Sequence, residues 1–158
     1  MRVPILEMMV NEKRLPYLEA VEETEATDDR EYTSPEAIAE TLRTIYKAEK
    51  LPEERVWMIS FDNRLQMTGI FEISRGTVNY SAISQTQILQ RALLSGAVCI
   101  AMAHNHPSGD IEPSAEDEKI TKQVAKGAKI CGIKLIDHII IAGAGRDSFY
   151  SFRQAGKL

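Results

Sequence analysis

Two imidazoles and a carboxylate are spaced along this chain so that they could share one metal ion. His104 and His106 stand two residues apart at the exit of the apolar run Ala97–Ala103. Asp117 follows after the stretch Pro107-Ser108-Gly109-Asp110-Ile111-Glu112-Pro113. In a strand, residues i and i+2 project to the same side, so both rings can converge on one point. The Pro- and Gly-containing stretch turns the chain back. Asp117 then falls in the first turn of the next helix, where its carboxylate can swing toward that point. Two histidines and one carboxylate form a donor set suited to zinc. Three protein ligands also leave a fourth position for water, which distinguishes a catalytic zinc site from a structural one. Asp110 and Glu112 are alternative carboxylates in the intervening loop.

A plainer reading competes for part of this set. Ser114 and Asp117 have the spacing of a helix capping box with Asp in place of the usual Glu, which alone would stabilise the helix start by ~1 kcal/mol. Taken singly, Asp117 reads as a cap. The cap does not explain the two histidines, and their strand register is what a shared ligand needs. His138 follows Asp137 in a later apolar run. Only one of two adjacent strand residues can face a given site, so His138 reads as a structural histidine or as a contact to a ligand.

The elements that must position these groups follow from periodicity. Ser34 can cap a helix with Pro35 in its first turn, and Ile38, Leu42, Ile45 and Tyr46 form its apolar face until Pro52 blocks continuation. Val56–Phe61 reads as a strand with Trp57 and Phe61 in the core. Asp62-Asn63 is a turn, Leu65–Ile73 the returning strand of a hairpin, and Gly76 a further turn or bulge. A second helix is predicted over Thr86–Ser95, with Ile88, Leu89, Ala92 and Leu93 facing the core and Gly96 ending it. Ala97–Ala103 suits a buried central strand. A third helix runs from about Ala115 to Lys129, Leu135–Ala142 is another strand, and the tail adds a short strand and a turn. Partial alternation of strands and helices predicts an α/β or α+β layered sheet.

The bulk properties narrow the function classes. A length of 158 residues suits one domain, and 44% apolar residues suits a packed core. A net charge of −4 lacks the basic footprint of a dedicated nucleic-acid binder. Residues 21–31 carry six acidic side chains against Arg30 alone, so residues 1–33 read as an N-terminal arm and solvated acidic linker. No run has the length of a membrane span, and Met1–Val10, interrupted by Glu7, does not read as a signal peptide. The expected location is the cytoplasm. Cys99 and Cys131 do not make a disulfide framework, and Cys99 reads as an inert buried thiol.

The string His104-x-His106, seven residues, Ser114, two residues, Asp117 resembles the JAMM signature of JAB/MPN metalloproteases. His104-Asn105-His106-Pro107-Ser108-Gly109-Asp110 with Pro113-Ser114 is similar to the RadC-like branch. So are Gly76-Thr77-x-Asn79 and Leu135-x-Asp137-His138-Ile139-Ile140. The resemblance spans residues 34–158. It implies a single JAB/MPN-like domain with a mixed sheet flanked by helices, and one zinc per chain on His104, His106 and Asp117. It also implies a general-base glutamate just before the first core strand, which falls on Glu54. Glu53 is adjacent, and Glu72 is a weaker candidate; without the resemblance, Glu53 and Glu54 are surface charges beside Arg55. Ser114 would donate a hydrogen bond to the oxyanion. Two departures stand out: no helix-hairpin-helix module reads out of residues 1–33, and Gln85-Thr86-Gln87 replaces the Pro-Arg-Glu usual before the second helix.

The function implied is zinc-dependent hydrolysis of an amide bond in a peptide or isopeptide-linked protein, by water that zinc acidifies and glutamate deprotonates. A DNA-repair-associated activity is the alternative, weakened by the acidic balance; His-Asn-His as three contiguous residues is not the spread motif of an HNH nuclease. A non-catalytic MPN-type binding module is the third reading, and retention of both histidines, the aspartate and a glutamate favours catalysis over it.

Overall fold

The computed structural model describes residues 2–25, 32–76, 83–143, 145 and 148–158. Strands β1 (Arg2–Val10), β2 (Pro16–Glu25), β3 (Arg55–Phe61), β4 (Met67–Arg75), β5 (Cys99–Asn105), β6 (Lys134–Ile141) and β7 (Phe149–Ser151) form one sheet in the order β2-β1-β4-β3-β5-β6-β7. β1 and β4 run parallel, as do β5 and β6, and the remaining pairs are antiparallel. Among the described residues three α-helices flank this mixed sheet: α1 (Pro35–Tyr46), α2 (Gln85–Leu94) and α3 (Ala115–Ile130). The architecture is the α/β layered sheet that the alternation of elements predicts.

The pleat divides the core in two. Trp57, Ile59, Phe61, Ala101, Ala103, Ile139 and Ile141 pack with Ile38 and Leu42 of α1. Val56, Met58, Ile100 and Met102 pack with Ile88 and Ala92 of α2 and Val124 and Ala128 of α3. Both sides of β3 and β5 are thus covered by helices, which is why these strands are nearly unbroken apolar runs. Helix α1 starts as its sequence dictates. The Ser34 side chain accepts from the Ala37 N–H at 3.1 Å, Pro35 opens the first turn, and the left-handed Lys47 closes the last.

Two expectations change. Residues 2–25 are not a free arm: they form a hairpin whose β1 lies beside β4, paired at Ile5 and Ile70, with Val3 fully buried. The acidic side chains of β2 conceal this, because an edge strand can be polar on most positions and still pair through its backbone. Of the expected linker 21–31, residues 21–25 belong to β2, and 26–31 lie outside the described residues, as does the 77–79 part of the Gly76 motif. Leu93 was expected to face the core but is 55% exposed, since the contact face of α2 is centred on Ile88 and Ala92, with Leu89 half-buried. Helix α1 stops at Tyr46, where Lys47 turns left-handed and a short 3-10 turn follows over Ala48–Lys50, rather than running on to Pro52; the other strand and helix boundaries fall within about two residues of those read from sequence.

Candidate metal centre

The site is assembled where three elements end or begin. β5 is fully buried along its length, and α3 crosses from its carboxyl end back to the parallel β6. The carboxyl end of a strand followed by a helix N-terminus is where open α/β sheets place their ligand sites. β3 is antiparallel to β5, so it begins where β5 finishes: Val56 stands opposite His104. The residues just before β3 are thereby carried to the same place.

His104, His106 and Asp117 converge here, with ligand atoms all within 4.8 Å of one another. His104 Nε2 is 2.9 Å from His106 Nε2 and 3.3 Å from Asp117 Oδ1, and His106 Nε2 is 3.6 Å from Asp117 Oδ2. Donors at ~2.0 Å from a tetrahedral zinc lie about 3.3 Å from each other, so the observed separations suit a shared ion. His104 is fully buried, Asp117 nearly so, and the His106 side chain is 16% exposed. Burial pushes the Asp117 carboxyl up, but the close imidazoles of His104 and His106 and the hydrogen bond from Ser114 outweigh it and hold the group far below the usual carboxylate range. Burial opposes charge on His106, yet Asp117 and the Asp110 carbonyl hold its pKa above the ordinary imidazole value. The three residues suit a cation: two imidazole nitrogens and a firmly ionised carboxylate.

The capping box is present as well. Ser114 Oγ accepts from the Asp117 N–H at 3.1 Å, and Asp117 Oδ2 accepts from the Ser114 N–H at 2.8 Å and from its hydroxyl at 2.7 Å. Cap and ligand are therefore not rival roles for Asp117. One oxygen serves Ser114 while the other faces His104. Asp110 and Glu112 do not join the cluster. Both are exposed, and the Asp110 side chain accepts from the Glu112 N–H. What Asp110 contributes is its carbonyl, which lies 2.7 Å from His106 Nδ1 and orients that ring.

The three candidate glutamates separate by their partners. Glu53 is paired with Arg55 at 2.9 Å, and Glu72 lies 3.5 Å from Arg55 and bonds to Arg75. Glu54 lies two residues before Val56, the partner of His104, and feels the charges of the cluster. Its pKa is raised by burial and by Asp117, against the pull of His104 and His106. Its peptide is held on three sides. Asn105 Nδ2 donates to the Glu53 carbonyl at 3.0 Å, the Arg55 N–H donates to Asn105 Oδ1 at 2.8 Å, and the Gly76 N–H donates to the Glu54 carbonyl at 2.8 Å. Asn105 was not singled out from sequence; its place between two candidate ligands was the available signal.

His138 and Asp137 divide as adjacent strand residues must. His138 is fully buried and faces the cluster, with Nε2 2.8 Å from His104 Nδ1 and Nδ1 2.6 Å from Thr121 Oγ1. The Thr121 hydroxyl is also 2.5 Å from the Asp117 carbonyl. Asp137 instead accepts from Ser151 Oγ at 2.6 Å and from the backbone N–H groups of His138 and Arg153. Thr121 was likewise missed from sequence, where nothing sets it apart from other polar residues of α3.

A family model described as RadC-like JAB domain matches residues 32–157. The chain belongs to this RadC-like JAB family. The RadC-like domain accounts for α1 through β7, and the β1–β2 hairpin lies ahead of the matched span. Relatives include a UPF0758 protein of Pseudomonas fluorescens, 34% identical over 68% of this chain and 47% of that protein. Another from Actinobacillus succinogenes is 32% identical over 82% of this chain and 57% of its own length. A third, from Thiobacillus denitrificans, is 35% identical over 80% and 54%. The chain thus spans about half the length of these relatives. Among the described residues, no helix is long and apolar enough to cross a membrane.

Proposed function

We propose that this RadC-like domain is a zinc-dependent hydrolase of amide bonds, acting on a peptide or an isopeptide-linked protein. The observation that carries this reading is the three-donor cluster of His104, His106 and Asp117, with the segment that holds Glu54 brought beside it by the antiparallel pairing of β3 and β5. His104, His106 and Asp117 would hold the zinc. Zinc, when bound, supplies Lewis acidity: it polarises a carbonyl and makes water a stronger acid near neutral pH.

Glu54 serves as the proton carrier. One carboxylate oxygen takes a proton from the attacking water and later passes it to the leaving nitrogen as the C–N bond breaks. Partial burial keeps this carboxyl closer to neutrality than an exposed one, which suits a group that must both accept and release. The Asn105 clamp on Glu53 and Arg55 fixes where that carboxyl hangs. Ser114 donates its hydroxyl hydrogen to Asp117 in this arrangement, so stabilising the carbonyl oxygen as it gains charge requires a rotation away from that partner.

The test is a pair of measurements. Purified protein should carry about one zinc per chain, lost in His104→Ala and in Asp117→Ala. Glu54→Gln should keep the zinc and lower turnover on a responsive peptide or isopeptide by a factor on the order of 100 or more. Full turnover by Glu54→Gln removes that residue from the mechanism. Metal-dependent cleavage of DNA, lost in His106→Ala with no peptide cleaved, replaces the amide substrate with a nucleic acid.

A further inference from the structure

A chain of three hydrogen bonds leaves the cluster at one proposed ligand and returns to another. It runs from His104 Nδ1 to His138 Nε2 at 2.8 Å, from His138 Nδ1 to Thr121 Oγ1 at 2.6 Å, and from Thr121 Oγ1 to the Asp117 carbonyl at 2.5 Å. It links β5, β6 and α3. His104 and His138 are fully buried and Thr121 is 1% exposed, so water does not stand in for any of the partners.

We propose that Thr121 and His138 are positioning residues for the metal centre, holding the ring proton of His104 on Nδ1 and leaving its Nε2 bare for a cation. The inference rests on the metal reading above and deepens it. The direction of the chain follows from counting hydrogens, beginning at its far end. A backbone carbonyl can only accept. The Thr121 hydroxyl has one hydrogen, and at 2.5 Å from the Asp117 carbonyl that hydrogen must lie between the two oxygens. Back-bonding of a threonine to the carbonyl one turn earlier is a familiar helix contact. Thr121 Oγ1 therefore accepts from His138 Nδ1–H. A neutral imidazole has one ring hydrogen, so His138 Nε2 presents a lone pair and accepts from His104 Nδ1–H. An imidazole at His104 whose single ring hydrogen sits on Nδ1 presents a bare Nε2, the atom that faces His106 and Asp117.

The reverse direction puts the Thr121 hydrogen on His138 and the His104 hydrogen on Nε2. It brings two oxygen lone pairs together at 2.5 Å and blocks the metal-facing atom. Surroundings keep His138 in place for the forward direction. Phe152 stacks on the ring at 4.9 Å and 11°, and the His138 backbone N–H donates to Asp137 Oδ1 at 2.8 Å. Metal-ligating histidines are ordinarily oriented through the nitrogen that does not bind, most often by a carboxylate or a carbonyl. Here a second histidine relays a backbone carbonyl of the third ligand's own residue.

The test separates the relay from the metal. Multiple-bond proton–nitrogen spectra of the metal-free wild type should show His104 with Nδ1 protonated and Nε2 bare. Thr121→Val keeps the shape but deletes the hydroxyl, freeing His138 to flip its tautomer and so that of His104. Zinc affinity, measured by competition with a chromogenic chelator, should fall about 10–100-fold in Thr121→Val. Thr121→Ser should restore most of it. Circular dichroism of the metal-free variants checks the fold. Wild-type zinc affinity in Thr121→Val, or a His104 proton on Nε2 in the wild type, overturns the proposal. A wild type that takes up no zinc refutes the metal reading, and the proton position on His104 then decides the relay alone. The same spectrum decides it where the valine variant fails to fold.

Discussion

Replacing Asn105 with alanine tests whether the general-base candidate is held by design. The Asn105 side chain is about as buried as any in the protein, at 1% exposure, and both ends of its amide are used on the peptides flanking Glu54. Truncation removes two hydrogen bonds and strands a backbone carbonyl at Glu53 and an N–H at Arg55. Each such loss costs about 1–3 kcal/mol, and the half-exposed position of residues 53–55 admits some water, so about 2–4 kcal/mol is expected. In a domain of this size that lowers Tm by roughly 4–16 °C. The melt belongs in chelator, so that metal binding adds nothing to either protein. Asn105→Asp keeps the acceptor for Arg55 but sets an oxygen against the Glu53 carbonyl, and should also be destabilising. The decisive readout is the split between metal and turnover. The Asn105 side chain bonds to Arg55 and Glu53 and to none of the three proposed ligands, so Asn105→Ala should still bind zinc with wild-type stoichiometry. Turnover should fall about 10–100-fold as Glu54 loses its alignment. A melt within about 0.5 kcal/mol of wild type, with turnover intact, would refute the clamp.

The Asp117–His106 pair predicts a pH window for the metal-free protein. The Asp117 pKa is depressed on folding, so its contribution is present above the unfolded value of about 3.9 and is lost as pH falls through the folded one. The His106 pKa is raised, so its contribution is full below about 6.5 and is lost as pH rises through the folded value. The stability difference between wild type and Asp117→Asn should therefore peak between about pH 4 and 6.5 in denaturant titrations. A difference that does not change from pH 3 to 9 contradicts the pairing. At the other side of the sheet, Val3→Asp should cost more than about 3 kcal/mol, because it buries an unpaired charge. An unchanged melt would mean the β1–β2 hairpin is not docked in solution.

Most of what places the metal donors was legible in the sequence, because it depends on local rules. Strand parity put His104 and His106 on one side, Ser114 announced the start of α3, and a first-turn position brought Asp117 back. What was not legible depends on pairing between distant segments. The segment with Glu54 lies beside His104 because β3 is antiparallel to β5, and no local pattern near residue 54 encodes that partner; the resemblance to a family singled out Glu54. Asn105 and Thr121 are ordinary polar residues until β3 and β6 are laid beside them. The hairpin was missed for a related reason. β1 carries Val3, Ile5, Leu6, Met8, Met9 and Val10, but it pairs with the acidic strand β2, whose side chains mask a pairing made by backbone groups.

The position of β5 separates two residues that sequence places side by side. His104 lies within a strand laddered on both flanks, by β3 and by β6. Its amide should exchange with deuterium only when the whole domain opens. The His106 amide is tied to the Ile141 carbonyl, but the loop beyond it, residues 107–113, is largely exposed and should open on its own. The centre therefore straddles a boundary between a slow and a fast cooperative unit. A metal held by these donors should exchange as fast as the loop on the His106 side opens, while the two strands flanking β5 keep His104 in place.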